Sequence, residues 1–229
     1  MLMRLYRCIV VTGMLTAVGA PVALGQDAQQ SRFAADIERF EAADRESPPA
    51  PGGIVFVGSS SIRLWSTLAE DFPGQPVINR GFGGSGISDV LLYADRIIIP
   101  YRPSQVIVYV GENDLAGGRP YQEVVADFRA LVEKLRAALP EVRIAWVSMK
   151  PSPSRWHLVD AMREGNRMIQ AMAAEDPLLD YIDVFTPMIG ENGRPIPELF
   201  VADSLHMTPA GYALWRSVVG SYLGDGGGQ

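Results

Sequence analysis

Cysteine is nearly absent from this chain of 229 residues: Cys8 is the only one. It lies in the leader described below, so the mature chain has no disulfide, no thiol nucleophile and no thiolate metal site, and its core alone must hold it. Histidine is scarce as well, with only His157 and His206. Any chemistry that needs an imidazole must use one of them. Basic residues are outnumbered, 20 Lys and Arg against 26 Asp and Glu, and they form no cluster. Such an acidic surface speaks against nucleic acid and against anionic membranes as partners. No apolar run reaches the ~20 residues that a membrane span requires, so stable membrane insertion is not expected. No internal repeat and no second domain is visible, and the length suits one domain with a sizeable core.

What is present begins with a targeting signal. Residues 1–25, MLMRLYRCIVVTGMLTAVGAPVALG, open on Arg4 and Arg7 and continue through an apolar run from Cys8 to Ala20. Small residues near Gly25 follow, with cleavage expected before Gln26. This is the pattern of a secretory signal peptide, so the protein is expected to be exported, periplasmic or secreted. Cleavage removes two of the 20 basic residues, which leaves 18 against 26 acidic ones and a net charge of −8.

Downstream, strand-like and helix-like patterns alternate. Residues 33–44 place Phe33, Ile37 and Phe40 on one helical face, and the proline-rich connector SPPAPGG (47–53) ends that helix. Apolar segments of strand length follow at 54–57, 106–110, 144–147 and 181–185, with a weaker one at 76–79. IVFV, VIVYV and IAWV do not alternate, as expected of strands covered on both faces. The intervening segments 121–139, 160–174 and 209–223 read as helices, the last opened by Thr208 as N-cap and Pro209 in its first turn. Alternation of this kind predicts an α/β fold: a parallel sheet with helices on both faces and ligands bound beyond the carboxyl ends of the strands.

Those ends carry the chemistry. GSSS follows the first strand, NRGFGGSG (79–86) the second and GENDLAGG (111–118) the third, and ADSLHMTP (202–209) precedes the final helix. A nucleophilic serine needs a base, and the base needs an orienting acid. His206 lies three residues after Asp203, so one tight turn can bring the carboxylate to one ring nitrogen and leave the other facing outward. His157, with Asp160 after it, is a weaker mirror of this arrangement and is read as a surface or satisfied core residue. Gly84 can offer an unobstructed backbone N–H and Asn113 a side-chain amide to a developing oxyanion.

Taken in order, Gly58-Ser59-Ser60, Asn79 to Gly84, Gly111 to Asp114 and Asp203 to His206 resemble the ordered blocks of the SGNH (GDSL-type) hydrolase family. The resemblance spans residues 53–223. It implies a three-layer α/β/α sandwich with a flavodoxin-like, five-stranded parallel sheet and no metal or organic cofactor. It implies Ser60 as nucleophile, Asp203 and His206 as the rest of a triad, and Gly84, Asn113 and the Ser60 amide as the oxyanion hole. Ser59 stands where the family usually has aspartate. The division expected of the chain is a signal peptide (1–25), an N-terminal helix and connector (26–52), the hydrolase domain (53–223) and a disordered tail (224–229). The expected function is an exported serine esterase acting on short acyl esters of a small molecule or glycan. The alternatives are an O-acyltransferase or deacetylase acting on a sugar or glycan, and a non-enzymatic binding protein on the same fold.

Rival motifs are weaker. Gly81 to Gly86 matches GxGxxG literally, but it follows the poorest strand and lacks the acidic residue about 20 positions on that would contact a ribose. Gly58 to Ile62 lacks the second glycine of the GxSxG elbow of α/β-hydrolases.

Overall fold

The computed structural model describes residues 21–224, with side chains from residue 32 onward. The leader assigned to 1–25 lies outside the described residues apart from Pro21 to Gly25, and the tail assigned to 224–229 lies outside them apart from Gly224. The strands are β1 (Ile54–Gly58), β2 (Val77–Gly81), β3 (Gln105–Tyr109), β4 (Arg143–Val147) and β5 (Leu179–Ile182). The helices are α1 (Pro21–Glu46), α2 (Ser60–Arg63), α3 (Leu68–Asp71), α4 (Ile87–Ile97), α5 (Glu112–Ala116), α6 (Tyr121–Ala138), α7 (Val159–Glu175) and α8 (Pro209–Gly220).

All five strands are parallel and lie in the order β2-β1-β3-β4-β5. This is the flavodoxin-like order, in which the chain reverses its direction of travel between β1 and β3. Successive residues of each strand point to opposite faces, and the apolar core divides accordingly. Val55, Val57, Val106, Val108, Ile144 and Trp146 face α1, α4, α6 and α7. Ile54, Phe56, Ile107, Tyr109, Ala145 and Val147 face α2, α3 and α8. The result is the three-layer sandwich. β1 and β3 are buried along their whole length, which is why their sequences do not alternate.

The helices follow their apolar spacing. Val124, Val125, Phe128, Leu131, Val132 and Leu135 form the buried stripe of α6. Thr208 caps α8 by accepting the Gly211 N–H at 3.3 Å, with Pro209 as the first helical residue. An aromatic cluster of Phe56, Trp65, Phe72, Tyr109 and Trp215 fixes α2, α3 and α8 to the sheet, with ring centroids 4.7–6.0 Å apart. Each fully buried side chain of this size contributes roughly 1.5–3 kcal/mol relative to exposure.

Three elements differ most from the sequence reading: the last helix, read at 209–223, ends at Gly220, and the last strand and the first helix have other bounds. The final strand, expected at 181–185, ends at Ile182. Ser148 Oγ accepts the N–H groups of Val184 (3.0 Å) and Phe185 (2.9 Å), which takes both amides away from the ladder and turns the chain. The helix read at 33–44 belongs to the longer α1, which begins at Pro21.

Candidate active site

The loops beyond the carboxyl ends of β1, β2 and β3, with the turn before α8, converge on one edge of the sheet. The β1 loop sits at the switch point between β1 and β3. Gly58 has φ +143°, and a Cβ there would lie 1.9 Å from the Tyr109 carbonyl oxygen, so only glycine lets the two strands close at this point. Ser59 stays extended and donates its N–H to the same carbonyl at 3.0 Å. α2 then starts at Ser60. Of the three serines, Ser59 and Ser61 are 5% and 2% exposed, and only Ser60 is half-exposed.

The turn before α8 presents His206 to Ser60. Ser204 adopts a left-handed conformation (φ +57°) and its N–H bonds the Val201 carbonyl at 2.8 Å. Asp203 Oδ1 accepts the backbone N–H groups of Leu205 and His206, both at 2.9 Å. Its Oδ2 lies 2.6 Å from His206 Nδ1. The hydrogen bond from His206, with the two backbone donors, lowers the Asp203 carboxyl to about 2. An ionised carboxylate only accepts, so Nδ1 carries the proton and Nε2 of the neutral ring is the acceptor. Ser60 Oγ lies 2.9 Å from that Nε2.

The β2 and β3 loops lie alongside. Gly84 has φ +83°, a conformation side chains rarely adopt, and its carbonyl accepts from Arg32 Nη2 at 3.3 Å. Asn113 Nδ2 donates to the Ser85 carbonyl at 2.9 Å. Asp114 accepts the Ile87 N–H at 3.1 Å and pairs with Arg119 at 2.9 Å, which ties the two loops together. The structure therefore joins Ser60, His206 and Asp203 in one hydrogen-bonded line and docks Asn113 on the loop that holds Gly84. His157 stands apart, exposed, and Asp160 pairs with Arg163 at 3.6 Å.

Sequence reasoning missed the polar network beneath the site. Glu112 and Lys150, 4% and 1% exposed, form an ion pair at 2.5 Å. Ser152 Oγ donates to the other Glu112 oxygen at 2.5 Å, and the Tyr109 hydroxyl also donates to Glu112. Burial pushes the Glu112 carboxyl up, but Lys150 and Arg155 outweigh it and hold the group below the usual carboxylate range. Losing one partner of a buried pair costs about 3–5 kcal/mol, because the other charge is left uncompensated. A lysine closing the apolar run IAWVSMK was the available hint of a buried cation. Arg155, whose Nη2 donates to Asn113 Oδ1 at 2.8 Å, gave no comparable signal.

Comparison with known proteins identifies the family of the chain. The GDSL-like Lipase/Acylhydrolase family model matches residues 53–214. Among solved structures, a Streptococcus pneumonia protein provisionally described as a platelet activating factor is similar with a TM-score of 0.75 at 20% identity, over 88% of this chain and 97% of that one. A GDSL-like lipase from Bacteroides thetaiotaomicron VPI-5482 gives 0.70 at 22% identity, over 82% and 96%. An acetyl esterase mutant holding an acetate ion gives 0.59 at 14% identity, over 74% and 94%. No curated protein matches the chain. The structural likenesses share the fold, and the family match covers most of the chain: the protein belongs to the GDSL-like lipase/acylhydrolase family of ester hydrolases.

Proposed function

We propose that the protein is an exported serine esterase that removes short acyl groups through Ser60, His206 and Asp203. The observation that carries this reading is the continuous line from Ser60 Oγ to His206 Nε2 (2.9 Å) and from His206 Nδ1 to Asp203 Oδ2 (2.6 Å). Ser60 Oγ attacks the ester carbonyl carbon while its proton passes to Nε2. The tetrahedral oxyanion is met by the N–H groups of Gly84 and Ser60 and by the Asn113 amide. As the intermediate collapses, the C–O bond to the alcohol breaks and the alkoxide takes the proton from Nε2. Water then attacks the acyl-Ser60 carbonyl with Nε2 as base again, the carboxylic acid leaves, and the proton returns to Ser60. Export rests on the leader pattern at residues 1–25. No helix of the described residues is long and apolar enough to cross a membrane.

Asn113→Ala should lower kcat by about 10²–10³-fold with a much smaller change in KM, because an oxyanion donor acts mainly in the transition state. Steady-state kinetics on p-nitrophenyl acetate measure both. A change confined to KM would make Asn113 a ground-state binding residue instead.

Burial supports the short-chain preference. Of the large apolar residues near the site loops, Trp65, Phe82, Leu115, Phe200 and Met207 are 1%, 0%, 4%, 7% and 5% exposed and so largely committed to the core. Trp156 is half-buried and edges, with Phe200, an open depression beside Ser204. The depression beside Gly84 and Asn113 is instead walled by polar groups of Arg32, Ser88, Asp114 and Arg119. An added acyl methylene contributes up to about 0.8 kcal/mol only where it is buried, so chain lengthening should soon stop helping. The test is kcat/KM across p-nitrophenyl esters of two to sixteen carbons, with acetylated sugars in parallel. The expected maximum lies between acetyl and butyryl. A maximum at ten carbons or beyond would sink the short-chain reading.

A further inference from the structure

We propose that Arg155 is the positioning residue that orients the Asn113 side-chain amide toward the oxyanion, an inference that rests on the esterase reading above. An Asn amide has two carbonyl lone pairs and two N–H donors in one plane. Here Arg155 Nη2 donates to Asn113 Oδ1 at 2.8 Å, and Asn113 Nδ2 donates to the Ser85 carbonyl at 2.9 Å. The two contacts determine the sense of the amide. Rotated by half a turn, it would set its NH₂ against the guanidinium N–H and its oxygen against the Ser85 carbonyl, donor to donor and acceptor to acceptor. With the carbonyl oxygen and one N–H engaged, planarity fixes where the second N–H points. That second N–H is the donor left for an oxyanion.

Arg155 is itself held in place. It lies in the short 3₁₀ segment Pro153–Leu158, with non-helical φ −114° and ψ 17°, and is half-buried. Its N–H bonds the Ser152 carbonyl at 3.1 Å, and Ser152 Oγ donates to Glu112, the residue before Asn113, at 2.5 Å. The neighbouring Ser154 N–H donates to the carbonyl of Ser204, between Asp203 and His206, at 3.0 Å. One short segment thus braces the turn carrying Asn113 and the turn carrying His206. Arginine suits the task, since its planar guanidinium is always charged and its donors form a fixed fork. Its charge directly behind the amide carbonyl also polarises the N–H bonds toward developing negative charge.

The experiment compares kcat and KM on p-nitrophenyl acetate for the wild type, Arg155→Ala, Arg155→Lys, Asn113→Ala and the Arg155→Ala/Asn113→Ala double variant. Thermal unfolding is recorded for each. Arg155→Ala should lose about 10- to 10²-fold in kcat, with KM within about threefold, as expected for a misaligned oxyanion donor. Arg155→Lys, which keeps a cationic donor, should recover part of the loss. In the double variant, removal of Arg155 should cost under about twofold beyond Asn113→Ala, because both changes remove one function. The inference is overturned if Arg155→Ala keeps its kcat within about twofold, if the change falls on KM alone, or if the two losses multiply. Should Arg155→Ala fail to fold, Arg155→Lys and Arg155→Gln in both backgrounds decide by the same criteria. No Ser60-dependent turnover in the wild type would instead overturn the esterase reading, and this inference with it.

Discussion

Ser60→Ala should abolish ester hydrolysis, with a loss on the order of 10⁴-fold or more in kcat, the magnitude typical of removing a triad nucleophile. Ser59→Ala and Ser61→Ala should each keep much of the activity. Burial separates the three: Ser59 and Ser61 are 5% and 2% exposed, while Ser60 is half-exposed and lies 2.9 Å from His206 Nε2. The backbone carbonyl of Ser61 accepts the Tyr212 hydroxyl at 3.0 Å and so joins α2 to α8, a contact that Ser61→Ala leaves in place. The check is steady-state kinetics on the three variants side by side. Near-normal turnover by Ser60→Ala, or a dead enzyme only on changing Ser61, would place the nucleophile at the wrong serine.

The second large effect belongs to the histidines and carries a pH signature. His206→Ala should be inactive to a similar degree, and His157→Ala should stay close to wild type. Only the neutral imidazole has the Nε2 lone pair that accepts the Ser60 proton, so activity should fall as pH is lowered and the ring protonates. The limb should be that of a single proton. Asp203, held down to about 2 chiefly by its hydrogen bond from His206, stays ionised across that range and adds no limb of its own. Asp203→Asn should lower the rate on the plateau by about 10⁴-fold, because the correct tautomer is no longer enforced. A pH–kcat/KM profile of wild type and Asp203→Asn measures it. A plateau near that of the wild type, or a loss confined to His157→Ala, would contradict the assignment.

Much of the architecture was legible because it depends on local pattern. β1 and β3 read as unbroken apolar runs since both of their faces are covered, and α6 reads from a stripe at helical spacing. Asp203 and His206 were legible for a similar reason, since they occupy one turn. Three serines follow β1, and the choice of Ser60 among them came from the resemblance of Gly58-Ser59-Ser60 to the family's block. What escaped the sequence depends on contacts between distant positions. β5 ends early because Ser148, more than thirty positions away, takes the next two amides. Glu112 meets Lys150 across 38 positions, and Asn113 meets Arg155 across 42. Neither pairing has a period or a spacing rule to reveal it. A buried Lys–Glu pair is also a rare event that composition cannot locate.

Covalent capture tests the central claim most directly, that Ser60 is a nucleophile activated by His206. The protein is incubated with a fluorophosphonate ester, which transfers its phosphonyl group to an activated serine oxygen with loss of fluoride. Intact mass and peptide mapping then locate the adduct while p-nitrophenyl acetate turnover is followed. The expected result is one phosphonyl group per chain, on Ser60, with activity lost in step, no adduct in Ser60→Ala and much slower labelling in His206→Ala. Full turnover by a protein that takes no label, or a label on Ser59, Ser61 or another residue that tracks the loss of activity, would contradict it.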